Sequence, residues 1–312
     1  MKIINMVNVL ITTSSFAEED KTPLELINKK GVNPVLNPFG RTLTEDEINK
    51  LIKEYDPVGI IAGTEPITRS VISRVRSLKI ISRCGVGVSN IDIQAAKEMK
   101  IDVVNTPDAL TESVAELTVG LILNVLRKVS EADRKIREGK WKKLMGTLLN
   151  GKTVGIIGCG RIGTKLAGYL QPFGCTVIGY DPLIKNHNKI KMVSLEELIK
   201  ASDIISLHVP LTDETKKMVN SGFISSMKAG SYLINVARGG MVDEKALFDG
   251  IKSGKLAGAA LDTFDKEPYH GPLTGLENVV LTAHMGSYAK EARIKMELQA
   301  AQNLLKGLEG LL

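Results

Sequence analysis

Short apolar runs alternate along this chain with stretches whose apolar residues recur at helical spacing. In the first third, strands are expected at 7–12, 34–36, 58–61, 79–82 and 101–105. Helices are expected between them, at 23–30, 45–55, 69–77 and 92–100. Thr44, with Glu47 three residues on, has the spacing of a capping box and marks the start of the second helix. Such β-α-β-α alternation implies a parallel sheet with helices on both faces.

A long helix is expected from Glu112 to about Glu138. Val114, Leu117, Leu121, Ile122, Val125, Leu126 and Val129 form its apolar stripe, and Val119 and Leu123 fall outside it. A helix apolar on more than one face is buried on more than one side. It is either part of a two-fold subunit interface or wedged inside the molecule, and periodicity leaves both open. A second α/β unit follows, with strands at 153–157, 176–180, 190–193, 203–209, 232–236, 257–262 and 279–282 and helices at 195–201, 223–227 and 244–253. The last helix, 291–308, is expected to return to the first unit and make that domain discontinuous.

With 312 residues the chain has room for two domains, and 43% apolar with 24% charged residues is an ordinary globular balance. The net charge is +6, but Lys and Arg come in runs no longer than two, so nucleic-acid binding is not expected. Cys84, Cys159 and Cys175 show no C-x-x-C or His spacing, so neither a disulfide framework nor a metal site is expected. The first residues lack a signal-peptide core, and no apolar run approaches a membrane span. These features together give the expectation of a soluble cytoplasmic protein.

One stretch carries a ligand signal. The apolar run 153–157 leads into Gly158-Cys-Gly-Arg-Ile-Gly, then a helical stretch, then a second strand ending in Asp181. Gly158 allows the tight turn, Gly160 leaves room for a pyrophosphate, and Gly163 lets helix and sheet pack closely. The helix amino end, beginning at Arg161 and Ile162, offers free N–H groups and a favourable dipole to phosphates. Asp181 lies 23 residues beyond the first glycine, where a carboxylate accepts the ribose 2′-hydroxyl. It would repel a 2′-phosphate, so NAD is expected over NADP.

Ligands of open α/β sheets sit off the carboxyl ends of the strands. Arg238, Glu267 and His284 each follow one of the last three expected strands. A guanidinium can grip a carboxylate through two bonds and polarise a neighbouring carbonyl. A histidine can give or take a hydroxyl proton near neutral pH, and a carboxylate beside it fixes its tautomer. This triplet behind a dinucleotide signature fits hydride transfer.

The motifs Gly158-Cys-Gly-Arg-Ile-Gly, His208-Val-Pro-Leu-Thr, Asn235-Val-Ala-Arg-Gly-Gly, Leu261-Asp-Thr-Phe-Asp-Lys-Glu-Pro and Thr282-Ala-His-Met-Gly-Ser resemble those of the NAD-dependent D-isomer-specific 2-hydroxyacid dehydrogenases. The resemblance covers nearly the whole chain. It implies a flavodoxin-like substrate domain, taken as 1–102 with 291–312, and a Rossmann NAD-binding domain, 103–290, with a cleft between them and pairing into homodimers. It implies that Arg238 orients a small carboxylate substrate, His284 is the acid/base and Glu267 tunes it. By the same resemblance the backbone of Val86 and Gly87 holds the substrate carboxylate. Val209, Pro210 and Thr212 then line the cofactor, Ala237 and Asp262 bind its carboxamide, and His208 is structural.

Within the family, Arg83-Cys-Gly-Val-Gly-Val and Asn105-Thr-Pro are most similar to D-3-phosphoglycerate dehydrogenases. The implied reaction is D-3-phosphoglycerate oxidation to 3-phosphohydroxypyruvate in serine biosynthesis, with glyoxylate or hydroxypyruvate reduction as the alternative. NAD-sensing corepressors that share this fold are the different class. Three positions depart from the pattern: Ser89 replaces Asp, Tyr288-Ala289 replaces Ala-Thr, and Gly63 stands where phosphoglycerate enzymes often carry arginine. Arg69 or Arg83 could stand in for that arginine. The chain ends at Leu312, so no C-terminal serine-sensing domain is expected.

Overall fold

The computed structural model describes residues 7–311. It divides into two compact units, one running up to Leu110 and resuming at Ser287, the other Thr111–Gly286.

The first unit is a five-stranded parallel sheet in the order β2-β1-β3-β4-β5. Its strands are β1 (Val7–Ile11), β2 (Val32–Leu36), β3 (Gly59–Ala62), β4 (Ile80–Arg83) and β5 (Asp102–Val104). Both faces are apolar because both are covered. Leu10, Ile60 and Ile81 are register partners across three strands and join one core with Ile48, Val71 and Ala95. Those last three come from α2 (Glu45–Tyr55), α3 (Arg69–Ser73) and α4 (Ile93–Glu98). Val9, Ile11, Ile61 and Ile80 point the other way, against Ile27 of α1 (Thr22–Lys29) and Met296, Ala300 and Leu304 of α11 (Lys290–Gly307). Each buried Val, Leu, Ile or Met side chain among these contributes roughly 1.5–3 kcal/mol. β2 is an edge strand, which tolerates Pro34 inside it. The expected capping box is present: Glu47 N donates to Thr44 Oγ1 at 3.3 Å and Thr44 N to Glu47 Oε2 at 2.9 Å.

The last helix is fixed to this unit by polar bonds as well. Glu297, 2% exposed, accepts from Ala17 N at 2.8 Å and from Arg293 at 2.5 Å, and Arg293 donates to Ser15 Oγ. The units change over at 110/111 and 286/287, whereas the sequence expectation placed the boundaries at 102/103 and 290/291. β5 pairs with β4, and Ala109 and Leu110 pack in the first core, which draws residues 103–110 into the first unit. Residues 1–6 and 312 of that expected domain lie outside the described residues.

The second unit is a seven-stranded parallel sheet, β12-β11-β10-β9-β6-β7-β8. Its strands are β6 (Thr153–Ile157), β7 (Thr176–Tyr180), β8 (Lys191–Met192), β9 (Ile204–Leu207), β10 (Ser231–Asn235), β11 (Leu256–Leu261) and β12 (Val279–Leu281). The order reverses between β6 and β9, so the switch point lies at the end of β6. The helices are α5 (Thr111–Arg127), α6 (Val129–Arg137), α7 (Arg161–Leu170), α8 (Leu195–Ala201), α9 (Ser221–Ser226) and α10 (Glu244–Lys252). Both units are thus doubly wound α/β sheets, as the alternation implies.

The helix expected over 112–138 is two helices. Lys128 takes a left-handed φ of +55° between α5 and α6. Asn124 stabilises the break, accepting from Ser130 N at 2.9 Å and donating to Ser130 Oγ at 2.7 Å. α5 buries Val114, Leu121, Ile122, Val125 and Leu126 within its own unit, against α7 and β11. α6 buries nothing, and Val129, placed in the stripe by periodicity, is 54% exposed. Among the described residues, no helix is long and apolar enough to cross a membrane.

Candidate active site

The end of β6 turns through Gly158 at a φ of +99°. A Cβ there would lie 2.6–2.8 Å from the backbone of His208 and Val209, because the end of β9 closes over the turn. A Cβ at Gly163 would overlap the Gly158 carbonyl, so α7 can approach the sheet only with glycine there. Gly160 faces open space, with nothing within 4 Å of a Cβ built on it. It is the N-cap of α7, and no side chain caps that end. The first N–H groups of α7, from Arg161 onward, therefore lie at an open anion-accepting turn.

Asp181 leaves β7 half-buried beside this turn. Its Oδ2 accepts from Cys159 N and its Oδ1 from Leu183 N, each at 2.9 Å. A carboxylate has about four acceptor positions, so capacity remains for ribose hydroxyls. A cavity of about 400 Å³ adjoins it, lined by Tyr180, Ile184, Lys185, Met192 and Val193 among others. The turn, the helix end, the acidic strand end and this cavity fit an adenine dinucleotide.

The segment after β9 is pinned along its length. His208 N donates to Ile157 O at 2.7 Å, tying the two strand ends. The His208 Nε2 lies 2.8 Å from Ser206 Oγ, and burial pushes the imidazole pKa down to about 4. Val209 is buried, and Pro210 and Thr212 are exposed. Thr215, a residue the sequence reading missed, accepts from Thr212 N at 2.8 Å and donates to Pro210 O at 2.7 Å. The missed signal is a threonine three residues after Thr212, at the spacing of a side-chain-closed turn.

Arg238, Glu267 and His284 follow β10, β11 and β12, three neighbouring strands. His284 Nδ1 lies 2.9 Å from Glu267 Oε2. Glu267 Oε1 accepts from Phe264 N at 3.1 Å, which orients the carboxylate. Arg238 Nη1 donates to Ala237 O at 2.7 Å. Burial lowers the pKa of its guanidinium, and the charge of Glu267 opposes that shift. The structure thus joins Glu267 to His284 by a direct bond and links Arg238 to Glu267 through charge.

Two buried polar residues underlie the triplet. Asn235, fully buried, accepts from Ala237 N at 3.1 Å and donates to Arg238 O at 2.9 Å. Asp262, also fully buried, accepts from Thr282 Oγ1, Met285 N and Gly286 N. His284, inside that turn, has a left-handed φ of +52°, a conformation that costs a non-glycine residue roughly 1–3 kcal/mol. In the first unit, Asn105 Nδ2 donates to Val86 O at 2.7 Å, and Gly85 N donates to Thr106 Oγ1 at 2.9 Å. These bonds fix the loop of Val86 and Gly87.

The turn, helix end and acidic residue define a dinucleotide-binding protein. Residues 119–286 match the sequence profile of the NAD binding domain of the D-isomer specific 2-hydroxyacid dehydrogenases. A hydroxypyruvate reductase of Thermotoga maritima is 42% identical over 296 residues, covering 93% of this chain and 95% of that one. A D-3-phosphoglycerate dehydrogenase of Methanocaldococcus jannaschii is 42% identical over 276 residues, covering 86% of this chain and 52% of that one. This chain thus spans about half the length of that relative. The crystal structure of the TT0316 protein from Thermus thermophilus superposes with a TM-score of 0.91 at 37% identity, covering 97% of both chains. The chain belongs to the D-isomer specific 2-hydroxyacid dehydrogenase family, and its second unit contains the family's NAD-binding domain.

Two predictions follow from these contacts. Replacing Asp181 by Ala removes the charge that repels a 2′-phosphate, so the ratio of NADP to NAD affinity should rise about tenfold or more. Titration of both dinucleotides by fluorescence checks this, and an unchanged ratio removes Asp181 from cofactor selection. The second concerns His208, whose folded pKa of about 4 lies below the ordinary 6.5. Its contribution to stability is complete above about pH 6.5 and is lost as pH falls towards 4. The wild type should lose up to about 1.4 kcal/mol per pH unit in that window through this residue. His208→Asn should lack that part of the slope in urea unfolding measured from pH 7 to 4.5.

Proposed function

We propose that this chain transfers a hydride between NAD and C2 of a small D-2-hydroxy acid. The observation that carries the reading is the 2.9 Å contact between His284 and Glu267, beside Arg238, on three adjacent strand ends of an NAD-binding domain. NAD held at the glycine turn and Asp181 would supply the hydride acceptor or donor. Glu267 on Nδ1 selects the tautomer that leaves His284 Nε2 to handle the proton. In oxidation Nε2 takes the hydroxyl proton, and in reduction it returns a proton to the carbonyl oxygen. Arg238 grips the substrate carboxylate and polarises the adjacent carbonyl. The backbone of Val86 and Gly87 is the first unit's candidate for binding that carboxylate. Val209, Pro210, Thr212 and Ala237 are proposed to line the cofactor.

The D-3-phosphoglycerate and 3-phosphohydroxypyruvate pair is supported by the loop motif 83–88 and by the phosphoglycerate dehydrogenase relatives. Hydroxypyruvate or glyoxylate reduction is supported by the loop after β3. Gly63 brings no cation there, and a side chain at that position would meet Glu65 Oε2 at 2.7 Å. Arg69 is engaged by Glu98 at 2.6 Å and lies 3.8 Å from Asp92.

We also propose a homodimer formed through the second unit. Val129 and Ile136 of α6, and Trp141, Met145 and Leu148 between α6 and β6, are all more than half exposed, with Trp141 at 89%. Cys84, Cys159 and Cys175 are free thiols, which supports a reducing, cytoplasmic setting.

The function is tested by following NADH loss with 3-phosphohydroxypyruvate, hydroxypyruvate, glyoxylate and pyruvate. The ratios of kcat/KM rank the substrates. His284→Ala should lower turnover by about 10²–10⁴-fold while NAD binding stays intact. Intact NAD binding without turnover of any 2-keto acid would favour an NAD-sensing binding protein instead. For the assembly, sedimentation of wild type should give twice the monomer mass. Trp141→Asp with Met145→Asp should give monomer, and an unaltered mass removes this surface from the interface.

A further inference from the structure

We propose that His187 is a positioning residue for the adenosine half of the dinucleotide, locking the chain after Asp181 against the glycine turn. The proposal needs only the NAD-binding domain and does not rest on the hydride-transfer reading.

Two connections tie the chain after β7 to one residue of that turn, Cys159. The first is the bond from Cys159 N to Asp181 Oδ2, 2.9 Å. The second runs through side chains. Lys189 N lies 3.1 Å from His187 Nδ1, and an amide N–H can only donate, so Nδ1 carries no proton. The ring proton is then on Nε2, which donates to Thr164 Oγ1 at 3.0 Å. Thr164 Oγ1 in turn donates to Cys159 O at 3.0 Å. Each donor in this series has its acceptor, and the bonds run in one direction from Lys189 to Cys159.

The N–H and the C=O of Cys159 are thus both tied to the segment 181–189, one directly and one through Thr164. Cys159 stands between Gly158 and Gly160, so its orientation sets that of the first free N–H groups of α7. The same segment carries Ile184 and Lys185, which line the cavity beside Asp181. His187, half-buried, connects this wall to the fourth residue of α7. Without that bond a dinucleotide must order the wall as it binds, and ordering a loop at that moment costs affinity.

The test is calorimetry with ADP-ribose, which lacks the nicotinamide. His187→Ala should weaken ADP-ribose about 3–10-fold, on the scale of one neutral hydrogen bond. NAD should weaken by the same factor, because the lost contact serves only the half the two ligands share. His187→Gln, whose amide N–H extends about as far as Nε2, should recover most of the affinity. His187→Asn keeps an acceptor for Lys189 N but falls short of Thr164, and should stay as weak as the alanine variant. Thr164→Val should match His187→Ala, and the double variant should be no weaker than either single one. Thr164→Val also keeps the test open if a His187 variant fails to fold.

ADP-ribose affinity within twofold of wild type in His187→Ala and Thr164→Val would overturn the proposal. So would rescue by Asn in place of Gln, or additive losses in the double variant. An enzyme that turns over no 2-keto acid, yet shows the binding pattern above, would instead overturn the functional reading and leave this role of His187 standing.

Discussion

Every strand of a parallel sheet ends its hydrogen-bond ladder on the same edge, and the chain leaving each strand must find partners for amides that water cannot reach. In the second unit much of that demand is met by a few side chains at strand ends. Asn235 serves the turn after β10, Asp262 the turn after β12, and Thr215 the turn after β9. A satisfied hydrogen bond adds only about 1 kcal/mol, but a buried group left unpaired costs roughly 1–3 kcal/mol. These side chains therefore set the shape of the edge more than they add to its stability. The candidate residues Arg238 and His284 stand on turns held in this way.

The nucleotide turn obeys the same constraint through backbone alone. β9 lies beside β6 and its continuation closes on Gly158, with His208 N bonded to Ile157 O. Asp181 then ties the end of β7 back to the turn through Cys159 N. Three consecutive positions in the sheet, β9, β6 and β7, are thus joined at the one edge where the strand order reverses. The glycines are needed there because neighbouring backbone takes the space a side chain would fill.

The long apolar segment after residue 111 shows how far a periodic pattern reaches. Its first part behaves as the pattern requires and is buried against β11 and α7. Its second part does not, because Lys128 breaks the helix and Asn124 closes the break with a side chain. Val129 continues the stripe by count yet lies on a surface. Helical period alone cannot register a single left-handed residue, and a lysine gives no warning of one.

The amino-acid order by itself determined the alternation of strands and helices, the glycine turn and the three titratable residues after β10, β11 and β12. Those features are local, or repeat at the period of the element, so spacing reveals them. Only the tertiary structure decided which strand ends are neighbours, and with that the contact of Glu267 with His284. It also decided what Asp262 holds, the hydroxyl of Thr282 and the amides of Met285 and Gly286. In sequence that residue is one aspartate after an apolar run, 23 and 24 positions from the amides it holds. Its meaning depends on two strands lying side by side, which the packing of the sheet supplies and no short stretch of chain encodes.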